Sequence, residues 1–409
     1  MVGSLESSAA WFRLALIMDR RTLLKTGSMA VAGIGFGACA GKTPQTGTPV
    51  RPSSVRPALD LAPVNVSWDR VIHTTVGLRP YRASGFVVKT EKLDRKILIH
   101  NYGHGGGGMS LAWGTGYLAA EMALAHISRR AAVLGSGITG LCTARQLQRR
   151  GFDVTIYAKA IPPHTTSNMS LAHWSPTSRV VAVNGRSPQW DEQFRFAAEV
   201  AYRELQLLAG RDYGISWIDR YSPADEPPPE RRETSRTLLP AHLRASREVL
   251  GPGEHPFPLP YAIRERHMKF EPAIYLDRLV RDVILFGGRI VIREFEAKRD
   301  LMSLTEPIIV NCTGLGARDL FDDKEVVPYK GQLTLLVPQS EVDYETSGGL
   351  RSTSGQAGVS LHMTPRSDGI ALGGTAEHDE WSLEPNEASR KTVVEGHREL
   401  FSAMRRPSL

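Results

Sequence analysis

Cysteine is scarce in this chain: 409 residues hold three, Cys39, Cys142 and Cys312. So few thiols exclude a disulfide framework as the source of stability, and no metal-ligating cluster is expected. No run of Lys and Arg interleaved with aromatics occurs, which argues against nucleic acid as a partner although the formal net charge is +7. The weakly apolar residues 27–41 are too few to span a membrane, which takes ~20 apolar residues. No internal repeat is present. What remains is ordinary: 41% hydrophobic and 23% charged residues, with length for roughly two domains of ~100–200 residues each.

The N-terminal residues read as an export signal. Asp19-Arg20-Arg21-Thr22-Leu23-Leu24-Lys25 has the twin-arginine pattern and precedes the weakly apolar run. Such signals route folded proteins, so the twin-arginine translocase is an expected partner and the cell envelope or periplasm the expected location. Two ends of the signal stay open: cleavage after Ala38-Cys39-Ala40, or an imperfect lipobox whose Cys39 carries a lipid anchor. Residues 1–41 are therefore read as signal. Residues 42–68, rich in Pro, Thr and Ser from 42 to 63, read as a flexible tether.

Two glycine-rich motifs follow, each between an apolar strand and a helix. Ile97-Leu98-Ile99 leads into His100-Asn101-Tyr102-Gly103-His104-Gly105-Gly106-Gly107-Gly108, with a helix expected over 109–125. Ala131-Ala132-Val133-Leu134 leads into Gly135-Ser136-Gly137-Ile138-Thr139-Gly140, with a helix over 142–150. The second is a dinucleotide fingerprint, whose glycines let backbone amides at a helix N-terminus approach a pyrophosphate. The four glycines 105–108 have no packing value of their own and cost backbone entropy, so something must approach them closely. Residues 153–157, 290–292, 308–312, 334–337 and 370–374 read as further strands, 273–286 as a helix. Residues 187–210 and 241–251 look helical and carry no motif.

This pairing of motifs resembles the D-amino-acid oxidase family of FAD-dependent amine oxidoreductases, over residues 69 to 409 and weakly between 184 and 266. In that family the fingerprint opens the chain and the His-Asn-Tyr-Gly-His-Gly run nearly closes it. Here the order is reversed, which implies a circular permutation joined at Ser128-Arg129-Arg130. The implied fold is α/β: a Rossmann-type FAD-binding domain (83–175 and 268–327) beside a mixed-sheet substrate domain (69–82, 176–267 and 328–409).

The resemblance also assigns residues. Gly135, Ser136, Gly137, Ile138, Thr139 and Gly140 would hold the FAD pyrophosphate. Thr165, Thr166 and Ser167 match a hydroxyl-rich segment near the cofactor, and Thr313 and Gly314 a strand end that passes it. Gly105, Gly106, Gly108, Met109 and Ser110 would lie along the flavin edge, and the Gly106 carbonyl would receive the substrate amine. His104 reads as structural. Gly77-Leu78-Arg79-Pro80 matches the carboxylate-clamping motif, and a planar guanidinium at Arg79 can hold a carboxylate through two parallel hydrogen bonds. Arg82 is read as a surface ion-pair residue. Where the family carries pocket tyrosines this chain has His362 and Gly358; His362 would add a contact that titrates near neutral pH.

These assignments imply hydride transfer from a D-amino acid to flavin, hydrolysis of the imine to a 2-oxo acid and ammonia, and reoxidation by oxygen or a quinone. Three other readings stay open. One is another amine substrate, glycine- or sarcosine-like or derived from the cell wall. A second is an NADP-dependent reductase using Lys159, since Tyr157-Ala158-Lys159 lacks the acidic ribose ligand expected ~20 residues beyond the fingerprint. The third is a non-catalytic FAD-binding envelope protein.

Overall fold

The computed structural model describes residues 59–229, 237–350 and 359–406. The signal, Cys39, most of the expected tether and Gly358 lie outside these residues. In chain order the first elements are strands β1 (Val71–Tyr81), β2 (Val87–Leu93) and β3 (Lys96–Tyr102), helix α1 (Gly108–Leu124), β4 (Arg130–Leu134), α2 (Ile138–Gln148), β5 (Asp153–Ala158) and α3 (Pro188–Leu207). Next come β6 (Ile215–Ala224), β7 (Arg247–Leu250), β8 (Tyr261–Phe270), α4 (Pro272–Leu285), β9 (Arg289–Ile292), β10 (Ile308–Asn311) and α5 (Ala317–Leu320). The last are β11 (Val327–Leu336), β12 (Tyr344–Ser347), β13 (Val359–Arg366), β14 (Gly369–Thr375), β15 (Glu377–His378) and α6 (Glu387–Ser402).

Among the described residues the strands form two sheets. The smaller runs β2-β3-β10-β4-β5-β9 and is parallel except for β2. Its central strands are apolar on both sides, as parallel strands covered on two faces must be. Ala131 and Val133 face a core with α1, α2 and α4, while Ala132 and Leu134 face one with Leu301, Leu320 and Phe321. Strand alternation thus gives a three-layer sandwich, with both glycine motifs at the same edge of the sheet.

The larger sheet runs β1-β11-β14-β13-β12-β6-β8-β7, with β15 beside β11. One face is apolar: Leu361, Met363, Ile370, Leu372 and Tyr344 pack with Val393, Val394, Leu400 and Phe401 of α6. α6 begins where the Asn386 side chain accepts the Ser389 amide hydrogen at 3.1 Å. Leu61, Val64 and Val66 join the same core, and the Ala62 carbonyl accepts from Tyr344 Oη at 2.7 Å. The segment 59–66, expected to be part of a free tether, is therefore packed onto this sheet.

One other expectation changes, and two features of the same region were not anticipated. Residues 241–251 hold a short 3-10 turn (Ala241–Leu243) and then β7, paired to β8, in place of a helix. β6 and β8 are ten-residue strands in the region that showed no readable pattern. α3, with Ser187 as its N-cap and Pro188 in its first turn, packs its Phe194, Ala198, Ala201 and Leu205 against residues of α1, not onto the large sheet. No described helix is long and apolar enough to cross a membrane.

Candidate active site

The fingerprint turn is closed to side chains. Gly135 has φ +100°, and a Cβ there would stand 2.6 Å from the Cys312 carbonyl; one at Gly140 would collide with the Gly135 carbonyl. The glycines bring the start of α2 against the ends of β4 and β10. Ser167 Oγ accepts the Ile138 amide hydrogen at 3.0 Å, and Ser136 Oγ donates to the Ala160 carbonyl at 2.6 Å. The following amides, of Thr139 and Gly140, carry the positive end of the helix, where a pyrophosphate fits. The site thus suits the phosphates of a dinucleotide on steric and electrostatic grounds.

Other assigned residues have different surroundings. Thr313 Oγ1 donates to Asn311 Oδ1 at 2.7 Å, and Thr165 Oγ1 to Asn168 Oδ1 at 2.8 Å. Thr166 begins a short 3-10 turn, Thr166–Met169. Lys159 is exposed and lies 3.4 Å from Glu294, so the residue on which a reductase reading rested forms a surface ion pair. Ser110 Oγ accepts the Ser175 amide hydrogen at 2.9 Å and is thereby committed to that segment. Met109 is buried in the core. Cys142 and Cys312 are free and buried, and burial pushes the Cys312 thiol up to about 12.

The glycine run 105–108 starts α1, with Gly107 as its N-cap. What crowds it is protein backbone. A Cβ at Gly105 would collide with the Arg179 carbonyl, and Cβ atoms at Gly106 and Gly107 would lie 2.7 Å from the Ser178 and Pro176 carbonyls. The side-chain positions of these glycines are thus filled by the loop 176–179. Gly108 is less confined, its nearest atoms being 3.8 Å from a Cβ. Among the described residues no backbone amide donates to the Gly106 carbonyl. His104 is buried, bonds Thr115 Oγ1 at 3.0 Å and stacks on Phe86; burial lowers it to about 3. It is neutral and structural.

β1 is the junction. The Pro80 carbonyl accepts the Gly105 amide hydrogen at 2.8 Å, the Pro80 ring lies 3.6 Å from a Cβ at Gly314, and Gly77 packs on Met169. The glycine run, segment 165–169, Gly314 and the arginine motif, far apart in sequence, meet around residues 77–80, and Ser167 ties the fingerprint to segment 165–169. Arg79 is part-buried and pairs across to Tyr329. Its Nη1 donates to the Tyr329 and Thr375 carbonyls at 3.3 and 3.4 Å, and its guanidinium occupies the place a Cβ would take at Gly331. Burial, then the charge of Arg179, lowers it to about 10, so it stays protonated at neutral pH. Arg82 is not a surface residue: it is part-buried, 2.8 Å from Asp323 and 2.6 Å from Glu325.

Pairing registers put a second set of groups on the same face of the large sheet as Arg79. Directly paired residues share a face and i, i+2 residues stay on it. The register carries that face through Gly331, Gly373 and His362 to Glu345 and Arg220, and then to Glu265 and His267. His267 Nε2 lies 2.6 Å from Glu345 Oε2, His173 stacks on His267 with ring centroids 5.2 Å apart, and Arg220 bonds Glu265 at 2.7 Å. Burial by itself would raise Glu345, but the hydrogen bond from His267 and the charges of His267, His173 and Arg220 hold it at about 2. His362 is pushed down to about 4 by burial, then by the charge of Arg220. It is therefore neutral near pH 7, and the expected near-neutral titration is corrected.

Sequence reasoning missed Arg179, Tyr329, Glu345, His267, His173 and Arg220. The absent pocket phenols have local counterparts: Tyr81 and Tyr329 meet edge to face at 5.5 Å beside Arg79, with His378 against both. The signal for Glu265, His267 and Lys269 was alternation in β8, but alternation alone does not say that the polar set points inward.

Comparison with known proteins identifies the family. A family model described as FAD dependent oxidoreductase matches residues 130–408. A D-amino-acid oxidase of Rubrobacter xylanophilus is 31% identical over 281 residues, 66% of this chain and 76% of that protein. One of Streptomyces coelicolor is 28% identical over 270 residues, 64% and 74%. A D-aspartate oxidase of Homo sapiens is 26% identical over 272 residues, 65% and 74%. Among solved structures, a glycine oxidase from Bacillus cereus superimposes with a TM-score of 0.44 at 14% identity, over 69% of this chain and 81% of that one. The chain belongs to the D-amino-acid oxidase-like family of FAD-dependent oxidoreductases, enzymes that bind FAD and act on amino groups.

Proposed function

We propose that the protein oxidises a D-amino acid to the imino acid, which water converts to the 2-oxo acid and ammonia. The electrons end on oxygen, as hydrogen peroxide, or on another acceptor such as a quinone. The observation that carries this reading is Arg79: a protonated guanidinium whose partners among the described residues are carbonyls, set beside the glycine run through Pro80. Bound FAD supplies the hydride acceptor. The chain's own part is placement. Arg79 holds the α-carboxylate through paired hydrogen bonds, and the Gly106 carbonyl accepts from the amine. Two fixed points orient the Cα–H bond and turn encounter into an aligned unimolecular step. The amides at the start of α1 favour negative charge on whatever lies over them.

The D configuration is supported by the names of the relatives at 31% and 28% identity. Anaerobic addition of a panel of D- and L-amino acids to the yellow protein tests it. Bleaching by D-amino acids is expected; bleaching only by glycine, sarcosine or L-amino acids overturns it.

The order of motifs supports a circular permutation as part of the same proposal. The family match begins at residue 130, at the start of β4. The preceding β1 and β3 are nonetheless built into the large and small sheets. Export by the twin-arginine translocase to the envelope, with Cys39 removed or lipidated, rests on residues 19–41 alone. Cell fractionation with Arg20→Lys and Arg21→Lys together tests it: retention in the cytoplasm is expected.

A further inference from the structure

We infer that Arg179 is a second carboxylate-recognising residue, and that the pocket takes an amino acid bearing an acidic group on a short side chain. The inference rests on Arg79 as the holder of the α-carboxylate.

Two guanidiniums converge on one residue. Arg79 donates to the Tyr329 carbonyl, and Arg179 Cζ lies 5.3 Å from the centroid of the Tyr329 ring. The other basic side chains around this face are neutralised: Arg82 by Asp323 and Glu325, Arg220 by Glu265, Lys269 by Glu271, Arg366 by Asp368. Among the described residues neither Arg79 nor Arg179 has a carboxylate at ion-pair distance. A single α-carboxylate brings one negative charge to a place that presents two positive ones; a dicarboxylic amino acid brings two. Such a ligand would offset the repulsion between the guanidiniums, which is strongest where solvent is thin.

The backbone fixes Arg179 there. Its φ is +46°, in the left-handed region, its carbonyl is pressed onto Gly105, and the next residue, Val180, is buried with Phe86, Leu111 and Trp190. The side chain itself is exposed, so it stands over the edge of the site instead of being spent in the interior. The charge of Arg179 also bears on both Arg79 and His362, which places it within electrostatic reach of the pocket wall.

D-Aspartate and D-alanine differ by a carboxylate in place of a hydrogen on the side-chain carbon, and they test the inference on the FAD-loaded full chain. The expected result is a kcat/KM about tenfold or more higher for D-aspartate, and a D-aspartate to D-alanine ratio that falls by about tenfold in Arg179→Gln. Arg179→Lys, which keeps charge but loses the planar fork, should fall between. No preference in the native enzyme, or an unchanged ratio in both variants, overturns the inference. A second readout needs no turnover: malonate against acetate, followed by perturbation of the flavin absorption band. Malonate should bind about tenfold more tightly, and Arg179→Gln should remove the difference. If neither amino acid bleaches the flavin while malonate discrimination depends on Arg179, D-amino-acid oxidation fails and Arg179 recognition stands. Bleaching by D-alanine with no Arg179-dependent preference for either dianion sinks the second arginine alone.

Discussion

The two faces of the large sheet are made by the same strands and obey opposite rules. On one face Leu361, Met363 and Leu372 meet α6 in an apolar core. On the other, one residue away along the same strands, stand His362 and Gly373, with Glu345 and Arg220 beyond them. A two-residue period is enough to separate a face that holds the protein together from one that holds charge next to a cofactor layer. The apolar face derives its energy from area and packing. The charged face also carries buried Leu333 and Leu335, but its polar groups are pinned by pairs such as His267 with Glu345.

The largest expected effect comes from the charged face. Arg79→Ala should lower kcat/KM by about 10²–10³, mostly through KM, because it removes one side of a charge-assisted contact. Thermal stability should hold or rise, since Arg79 is a desolvated cation without a carboxylate partner among the described residues. Steady-state kinetics with a melting curve checks both, and a large loss of stability would show that Arg79 is structural. Met363→Ala is the mirror experiment. Met363 is fully buried, so about 2–4 kcal/mol of stability should go, while kcat/KM per folded molecule stays within about twofold.

Acid should act next, and mainly through buried histidines and Glu345. Burial, by far the main cause, depresses His104, His173, His362 and His397 to about 3–4. The folded protein therefore keeps them neutral where the unfolded chain takes up protons below about pH 6.5. Their contribution is complete about one pH unit above that value and falls on acidification, by roughly 0.4 kcal/mol per histidine at pH 6.5 and about 1.4 kcal/mol at pH 5.5. Glu345, depressed to about 2, adds stability that is complete above about pH 4.5 and lost as the pH falls toward 2. Urea unfolding at pH 7.5, 6.5, 5.5 and 4.5 should show a small first step and growing losses after it. A stability maximum near pH 5 would contradict neutral burial of these rings. The smallest effect is on the rate profile: between pH 6 and 8 the native enzyme and His362→Gln should give kcat/KM curves of the same shape, because His362 does not change charge there. An inflection lost in the variant would return His362 to the near-neutral range.

Legibility differed between the sheets for a reason. Residues 131–134 and 308–310 are continuous apolar runs, and 135–140 can be read from residue types alone because a Cβ would collide there. β6 and β8 were illegible because their inward set is polar: Glu265, His267 and Lys269 look like a solvated edge until His173, Glu345 and Glu271 are seen beside them. Residues 241–251 looked helical, yet Arg247–Leu250 is held as a strand by its pairing with β8, a partner far outside any local window. Even the glycine run was only half legible. The need for close approach was plain, but not that the loop 176–179 would occupy the side-chain positions.

The sequence by itself determined the local chemistry: which turns admit no side chain, which strands are buried on both faces, and which arginine lies in a clamp-like motif. Those are properties of neighbours along the chain, set by sterics and periodicity. Tertiary structure alone decided which charges are paired. Arg82 found Asp323 and Glu325, whereas Arg79 and Arg179 were brought to the same tyrosine with no acid between them among the described residues. Charge neutralisation depends on distance through space, and strand pairing across more than 200 positions sets those distances.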